Sequence, residues 1–464
     1  MDKQGQQQII DTVKQSGQGH VLAYWDQLSE AQRETLLEQL ASIDFDLLNE
    51  LKERFITRSG PSHTGGKLEP ADFIPLPKIP EEKQAWRRAR EIGEDALRGG
   101  RVAAFLVAGG QGSRLGFDGP KGKFAISPLR GKTLFQLHAE KILALGRKYG
   151  RTIPWYIMTS KTNHKETVDF FKSNDFFGLE SDHVSFFEQE MIPALGAEGQ
   201  LLLESPGTVF MNPNGHGGSL SALKRSGALT DMRTRGVDLI YYFQVDNVLI
   251  NICDPVFLGH HLEGGAEMSA KIVAKTDPDE KVGVLARVDG RLGVVEYSDL
   301  PDAAKRATDA DGSLRFRAGS IAIHVFNREF VERETAGRLR LPWHVAHKKI
   351  ACLNRAGQRV DPEKPNGYKF ETFVFDALGD AHKVRFLEVS REDEFSPVKN
   401  AEGQSSPETA RRDMVRQFKR WLQAAGASVP QGAVEISPLF ALESAELKDK
   451  LAMIPMTDGD LYLG

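Results

Sequence analysis

The sequence predicts an α/β protein whose central sheet is covered by helices on both faces, and three observations predict it. Short, unbroken apolar runs recur at VAAFLVA (102–108), WYIMTS (155–160) and LIYYFQV (239–245). Helical stretches at 133–149 and 162–173 lie between them. Continuous apolar strands separated by helices are the pattern of a parallel sheet buried on both sides. Glycines follow directly on the first run, at the carboxyl end of a strand, where such sheets bind their ligands.

The remaining elements follow in chain order. Residues 1–57 read as helical, and Ser29 with Gln32 forms a capping box ahead of Leu36, Leu37 and Leu40, which share one helix face. Residues 58–80 carry Pro61, Pro70, Pro75, Pro77 and Pro80 with Gly65 and Gly66. Proline at that density disfavours helix and sheet pairing, so a surface-hugging connector is expected. Pro80 suits the first turn of the next helix, which stops at Gly99 and Gly100. Between 268 and 325 the apolar runs shorten, which points to an antiparallel insert in or beside the main sheet. A further helix covers 407–425 and a less regular segment follows. The expected regions are 1–98 (helical, with the connector), 99–400 (the central domain) and 401–464 (a C-terminal α+β region).

The chain has 464 residues, of which 40% are hydrophobic and 27% charged; 60 basic and 64 acidic side chains give a net charge of −4. No basic excess is present to bind nucleic acid generally. A few cations focused in one cleft remain compatible with a small anionic substrate. Two cysteines, Cys253 and Cys352, cannot build a disulfide framework or a multi-thiolate zinc site. The N-terminus lacks a secretory apolar core, and no apolar run reaches the roughly 18–20 residues of a membrane span. A cytoplasmic protein, most simply a monomeric enzyme, with no membrane or nucleic-acid partner is expected.

The most informative segment is LVAGGQGSRLGFDGPKGKF (106–124). Glycines 109, 110, 112 and 116 let backbone amides approach a ligand, and a cradle of amides suits phosphate. Arg114 and Lys121 add positive charge at the same strand end. A dinucleotide fingerprint would need glycine at Leu115, and a Walker loop would need Ser or Thr at Phe124. Asp246 ends the run LIYYFQV. It suits Mg²⁺, which keeps several waters and takes one or two protein oxygens, although a turn or cap role remains open. His216 lies in the loop NPNGHGGSL (212–220) and is either structural or ligand-facing. Lys369, in KPNGYKFETFVFD, reads alone as a surface lysine. The other histidines form no metal-ligand pattern, and no GxSxG elbow or activated cysteine is present. Phosphate-handling groups without a protein nucleophile suit a transfer in which one substrate's phosphate attacks another's.

LVAGGQGSRLG followed by GPKG resembles the signature of the eukaryotic-type UTP-dependent sugar-1-phosphate uridylyltransferases, on the side of the UDP-N-acetylglucosamine pyrophosphorylases. The likeness continues through FFEQEMIPAL, QVDNVLI, VVEYSDL, KPNGYKFETFVFD and REDEFSPVKNA. It implies a mixed, mostly parallel nucleotide-binding sheet, Mg²⁺, and conversion of UTP and a sugar 1-phosphate to a UDP-sugar and pyrophosphate. By matched position, it implies that Ala108, Gly109 and Gly110 line the uridine and that Gly112 lies at the phosphates. Arg114 and Lys121 would bind the triphosphate, and Gln189, Pro213 and Gly215 would face the uracil. Asp246 would hold the metal, Glu296 a sugar hydroxyl and Lys369 a phosphate. The chain departs from the acetylhexosamine pattern at His216, where an asparagine is usual, and at Ser320, where AGN becomes Ala318-Gly319-Ser320. N-acetylglucosamine 1-phosphate is the expected sugar substrate. Glucose or galactose 1-phosphate is the alternative, and a nucleotide-sugar-dependent glycosyltransferase a more distant one that would not need the Arg114–Lys121 pair.

Overall fold

The three apolar runs become neighbouring strands of one ten-stranded mixed sheet. The computed structural model describes residues 2–57, 66–354 and 356–464, so the part of the expected connector at 58–65 lies outside the described residues. Val102–Val107 pairs in parallel with Trp155–Thr159 on one side and with Leu239–Gln244 on the other; Val184–Glu188 extends the parallel half. Beyond Leu239–Gln244 the sheet turns antiparallel at Ala318–Asn327, which also pairs with Met268–Ala274 and meets Val284–Val288 at Gly319. The strand-rich stretch between 268 and 325 is therefore part of the main sheet. Trp155, Tyr156, Tyr241, Phe105 and Phe243 are fully buried, as strands sandwiched on both faces require.

The proline-rich segment does pair, contrary to the sequence expectation. Leu68–Pro70 forms an antiparallel strand on Val284–Val288, and Ile74 donates to Phe386 O at 2.9 Å. Leu68–Pro70 ends the sheet path, and at an edge a proline's missing N–H leaves no ladder bond broken.

Packing divides the chain into two units that interleave along the sequence. One comprises Met1–Gly65, Glu190–Gly218 and Leu341–Val374, and the other comprises Gly66–Gln189, Ser219–Arg340 and Phe375–Gly464. The expected boundaries at 98 and 400 both fall within segments of the second unit. The first unit joins helices Lys3–Gln15, Glu30–Ala41 and Phe45–Lys52 to a small sheet of Trp343–Lys348, Gly367–Thr372 and Leu195–Gly196. Leu36, Leu40, Ile192, Leu203 and Phe370 share its core. Its capping box forms as expected: Gln32 N donates to Ser29 Oγ at 3.3 Å, and Ser29 N to Gln32 Oε1 at 2.9 Å.

In the second unit, helix Pro80–Arg98 starts with Pro80 at its first position and lies against helix Pro255–Glu263. The approach is close enough to exclude side chains. A Cβ at Gly93 would lie 1.9 Å from Pro255 O, and one at Gly259 would lie 1.7 Å from Ala89 O. The tail joins the same core through Ala410, Met414, Phe418, Leu422 and Ile436. No described helix is long and apolar enough to cross a membrane.

Alanine ordinarily stabilises a helix over glycine by about 1 kcal/mol. At Gly259 the obstacle is backbone, which cannot rotate away, so Gly259→Ala is expected to cost about 1–3 kcal/mol net, as overpacking does. Urea unfolding checks this; an unchanged or raised midpoint would mean that the two helices separate without penalty.

Candidate active site

Residues of the second unit converge at the carboxyl ends of its parallel strands. The strand Val102–Val107 runs out at Ala108, whose N–H still bonds Met158 O at 2.7 Å. The loop beyond folds on itself: Gly112 N donates to Gly119 O at 2.9 Å and Lys121 N to Gly110 O at 3.1 Å. Asn163, at the end of the neighbouring strand's loop, donates to Ala108 O at 3.0 Å. Two glycines are used for closeness. A Cβ at Gly109 would sit 3.2 Å from Gln189 Oε1, and one at Gly112 would sit 2.6 Å from the Phe117 ring. The Lys121 stem passes 4.0 Å from the Cβ position of Gly110. Arg114 is exposed, with no carboxylate at ion-pair distance among the described residues.

Lys121 and Asp246, 125 positions apart, come together. Lys121 Nζ lies 3.7 Å from Asp246 Oδ2, and both side chains are largely buried. That is attraction without a hydrogen bond, which leaves both groups room for a ligand. The register explains the meeting: Leu239–Gln244 runs parallel beside Val102–Val107, so the segments leaving their carboxyl ends are neighbours.

The segment carrying Asp246 is held from two sides. On helix Leu134–Tyr149, His138 Nε2 donates to Val245 O at 3.0 Å, and Lys141 Nζ donates to Val248 O and Ile250 O at 2.8 Å each. Burial, helped by the Lys141 charge, lowers His138 to about 3, so its ring is neutral. On the other side Val398 N donates to Asp246 O at 2.9 Å. The Asn247 amide donates to Glu394 O at 2.7 Å and accepts from Ser396 N at 3.0 Å. Below lies a buried triad in which Lys271 Nζ is 2.8 Å from Asp254 and 2.6 Å from Glu394. Burial works against the Lys271 charge, but the two carboxylates outweigh it and hold the group above the ordinary lysine value.

Sequence reading missed His138, Lys141, Lys271 and Asn163. The signal for the first two was their i, i+3 spacing in an otherwise apolar helix face. Lys271 announced itself as a lysine inside the apolar run MSAKIVA.

Glu296 and Ser320 meet around one residue. Ser320 N donates to Gly283 O at 2.9 Å, and the Cβ position of Gly283 is 3.4 Å from Glu296 Oε1. Gln189 N donates to Thr159 O at 2.7 Å, which keeps its side chain beside Gly109.

The other predicted residues belong to the first unit. Its glycine loop is clamped to the strand Gly367–Thr372: Gly217 N donates to Thr372 O and Thr372 N to Asn214 O, each at 2.8 Å. Gly215 has φ +84°, and its Cβ would fall 2.3 Å from Thr372 O, so two constraints demand glycine there. Pro213 closes the strand Met211–Pro213, opposite Met191. His216 is fixed rather than solvated. Its Nδ1 accepts from Val374 N at 3.1 Å, and its ring stacks on Phe373 at 5.3 Å. Burial, helped by His344, lowers it to about 4, so the ring is neutral with its hydrogen on Nε2. Lys369 Nζ lies 5.0 Å from the Phe210 ring centre, with no carboxylate within ion-pair reach among the described residues.

Other reactive-looking residues are structural. His261 bonds Ser269 and Asn327, and both cysteines are buried thiols. Among the described residues one group could chelate a metal, Glu180 with Asp182 and His183, and it lies at the surface.

A glycine loop, a lysine and a carboxylate at adjacent strand ends are the layout of an enzyme that handles phosphates. The chain belongs to the UTP–glucose-1-phosphate uridylyltransferase family, whose model matches residues 67–410. It is 39% identical over 431 residues to UDP-N-acetylhexosamine pyrophosphorylase-like protein 1 of Xenopus tropicalis, covering 89% of this chain and 84% of that one. To the probable UDP-N-acetylglucosamine pyrophosphorylase of Dictyostelium discoideum it is 36% identical over 482 residues, covering 98% of each. The crystal structure of the uridine diphosphate N-acetylglucosamine pyrophosphorylase from Trypanosoma brucei superposes with a TM-score of 0.85 at 28% identity, covering 100% of this chain and 98% of that one.

The triad makes a direct stability test. Lys271→Met would leave two buried carboxylates without their cation and is expected to cost about 3–5 kcal/mol. Adding Glu394→Gln should recover part of that loss in urea unfolding, because the remaining repulsion falls. No recovery would show that Lys271 stabilises by packing alone.

Proposed function

We propose that the chain is a uridylyltransferase that converts UTP and N-acetylglucosamine 1-phosphate to UDP-N-acetylglucosamine and pyrophosphate. The observation that carries the reading is the meeting of Lys121 with Asp246 at the mouth of the glycine loop. In the transfer an oxygen of the sugar phosphate forms a bond to the α-phosphorus of UTP, and the bond to the β-phosphate oxygen breaks. Both reactants are anions, so positive charge must offset their repulsion and hold the attack in line. Arg114 and Lys121 would neutralise the triphosphate, while Ala108, Gly109 and Gly110 would receive the uridine. Gly112 would allow close approach of the phosphates.

Asp246 is suited to a divalent cation. Asn247 beside it is already committed to Glu394 and Ser396, so one hard carboxylate is left, the donor set that Mg²⁺ takes when it keeps waters and substrate oxygens. Bound there, Mg²⁺ would supply Lewis-acid charge at the phosphates. Gln189, Pro213 and Gly215 are assigned to the uracil, Glu296 to a sugar hydroxyl and Lys369 to the phosphate of sugar or product. Buried, unpaired thiols accord with a reducing, cytoplasmic setting.

A second reading, with glucose 1-phosphate as substrate, is favoured by His216 and Ser320. An amide donates and accepts at once, whereas His216, with Nδ1 taken by Val374, has at most a single Nε2–H donor. A site that does not grip the acetamido group cannot penalise a sugar lacking it.

Two outcomes are expected. Asp246→Asn should abolish Mg²⁺-dependent pyrophosphate release in a folded protein, and Lys121→Ala should lower kcat/KM about 10²-fold or more, on the order of 2–4 kcal/mol. Near-normal turnover in both would remove this loop from the active site. In a panel of sugar 1-phosphates, the acetylated sugar should be used with weak discrimination against glucose. His216→Asn with Ser320→Asn should raise that preference about tenfold, roughly 1.4 kcal/mol. A native preference above about a thousandfold would refute the argument from these two positions, and use of glucose 1-phosphate alone would make the second reading correct.

A further inference from the structure

A cavity of about 380 Å³ lies beside the segment that follows Asp246, lined by Leu137 and Lys141, by residues 248–252 and by Phe418 and Trp421 of helix Pro407–Ala425. Its volume falls within the range of small-molecule sites. Five charged residues line it, and four of them are neutralised. Glu394 pairs with Lys271 at 2.6 Å, Asp393 with Arg420 at 2.8 Å, and Glu443 with Lys148 at 2.7 Å. Lys141 alone has no carboxylate within ion-pair distance among the described residues. Two of its three ammonium protons go to Val248 O and Ile250 O. Burial lowers it to about 8, and the Glu394 charge opposes that fall only in part.

We propose that this cavity binds a small carboxylate with an apolar body, which pairs with Lys141 and lowers turnover. An aromatic or aliphatic chain would lie against Leu137, Phe418 and Trp421, and the carboxylate would accept from the Lys141 ammonium. The pairing supplies the missing counter-ion in an apolar surround, where a charge-assisted hydrogen bond is strong. Drawn towards that carboxylate, Lys141 gives up part of its hold on Val248 O and Ile250 O, which tether the chain two and four residues beyond Asp246. Occupancy is thereby coupled to the geometry of Asp246 and so to the rate of transfer. The binding half stands on the cavity alone; the effect on turnover rests on the proposed role of Asp246.

Titration calorimetry of the full chain with 4-phenylbutyrate and its uncharged amide separates the two halves. The acid is expected to bind saturably and at least tenfold more tightly than the amide, with an affinity that UTP does not compete away. Ala424→Trp, at an exposed position on the cavity rim, should weaken acid binding at least tenfold while leaving ligand-free turnover unchanged. Lys141→Met should abolish the preference for acid over amide. Bound acid should lower kcat while KM for UTP holds. Equal binding of acid and amide, competition by UTP, or indifference to Ala424→Trp would overturn the site. Saturable binding with kcat unchanged would overturn its coupling to Asp246 and leave the uridylyltransferase reading untouched.

Discussion

Asp246 depends on backbone that is no longer part of a sheet. Once Leu239–Gln244 ends, the chain from 245 to 251 must find partners for its amides and carbonyls elsewhere, because buried backbone groups left unpaired are costly. Side chains supply several of the partners, His138 and Lys141 from one helix and Glu394 accepting from Asn251 N at 3.2 Å, and the backbone of Val107, Ser396 and Val398 supplies others. Each bond is ordinary, and together they leave the Asp246 carboxylate a small range of positions. The glycine loop opposite needs the same restraint and obtains it from Asn163 and from its own internal bonds.

The support is itself supported. Glu394 holds Asn251 through a carboxylate oxygen, and burial, aided by the Asp254 charge, outweighs its cation and raises its carboxyl to about 7. The Lys271 ammonium at 2.6 Å opposes that rise and orients the group. A fully buried ion cluster adds little net stability against an apolar replacement, but it imposes one arrangement. Here that arrangement fixes where the 394–398 segment lies, and so where Val398 reaches Asp246 O.

The strands and most helices could be read from the sequence because their apolar periods are local. Val102–Val107, Trp155–Thr159 and Leu239–Gln244 form where the unbroken runs fall, and Pro80 and Ser29 mark their helix starts. The glycine loop and Asp246 were visible because residue type and strand-end position both point to phosphate. Pairing by Leu68–Pro70 was not visible, since a proline at an edge and one in a loop look alike in sequence. Nor could His216 be assigned: its fixed tautomer comes from Val374, 158 positions away. Lys141 and Lys271 escaped for the same reason, as their partners are brought in by tertiary structure.

Interleaving has a consequence for synthesis. In the first unit Gly367–Thr372 pairs with Leu195–Gly196, and its core includes Leu36 and Phe370, so no early stretch of chain holds a complete set of partners. In the second, Met268–Ala274 waits for Val384–Glu388. A nascent chain therefore cannot finish one unit and release it before the other is well advanced. Loop closures this long slow folding and prolong exposure of strands such as 155–159, whose residues are wholly apolar or aromatic except Thr159. Any single cut between residues 66 and 374 leaves both units without some of their segments, so throughout that stretch each must wait on chain not yet made.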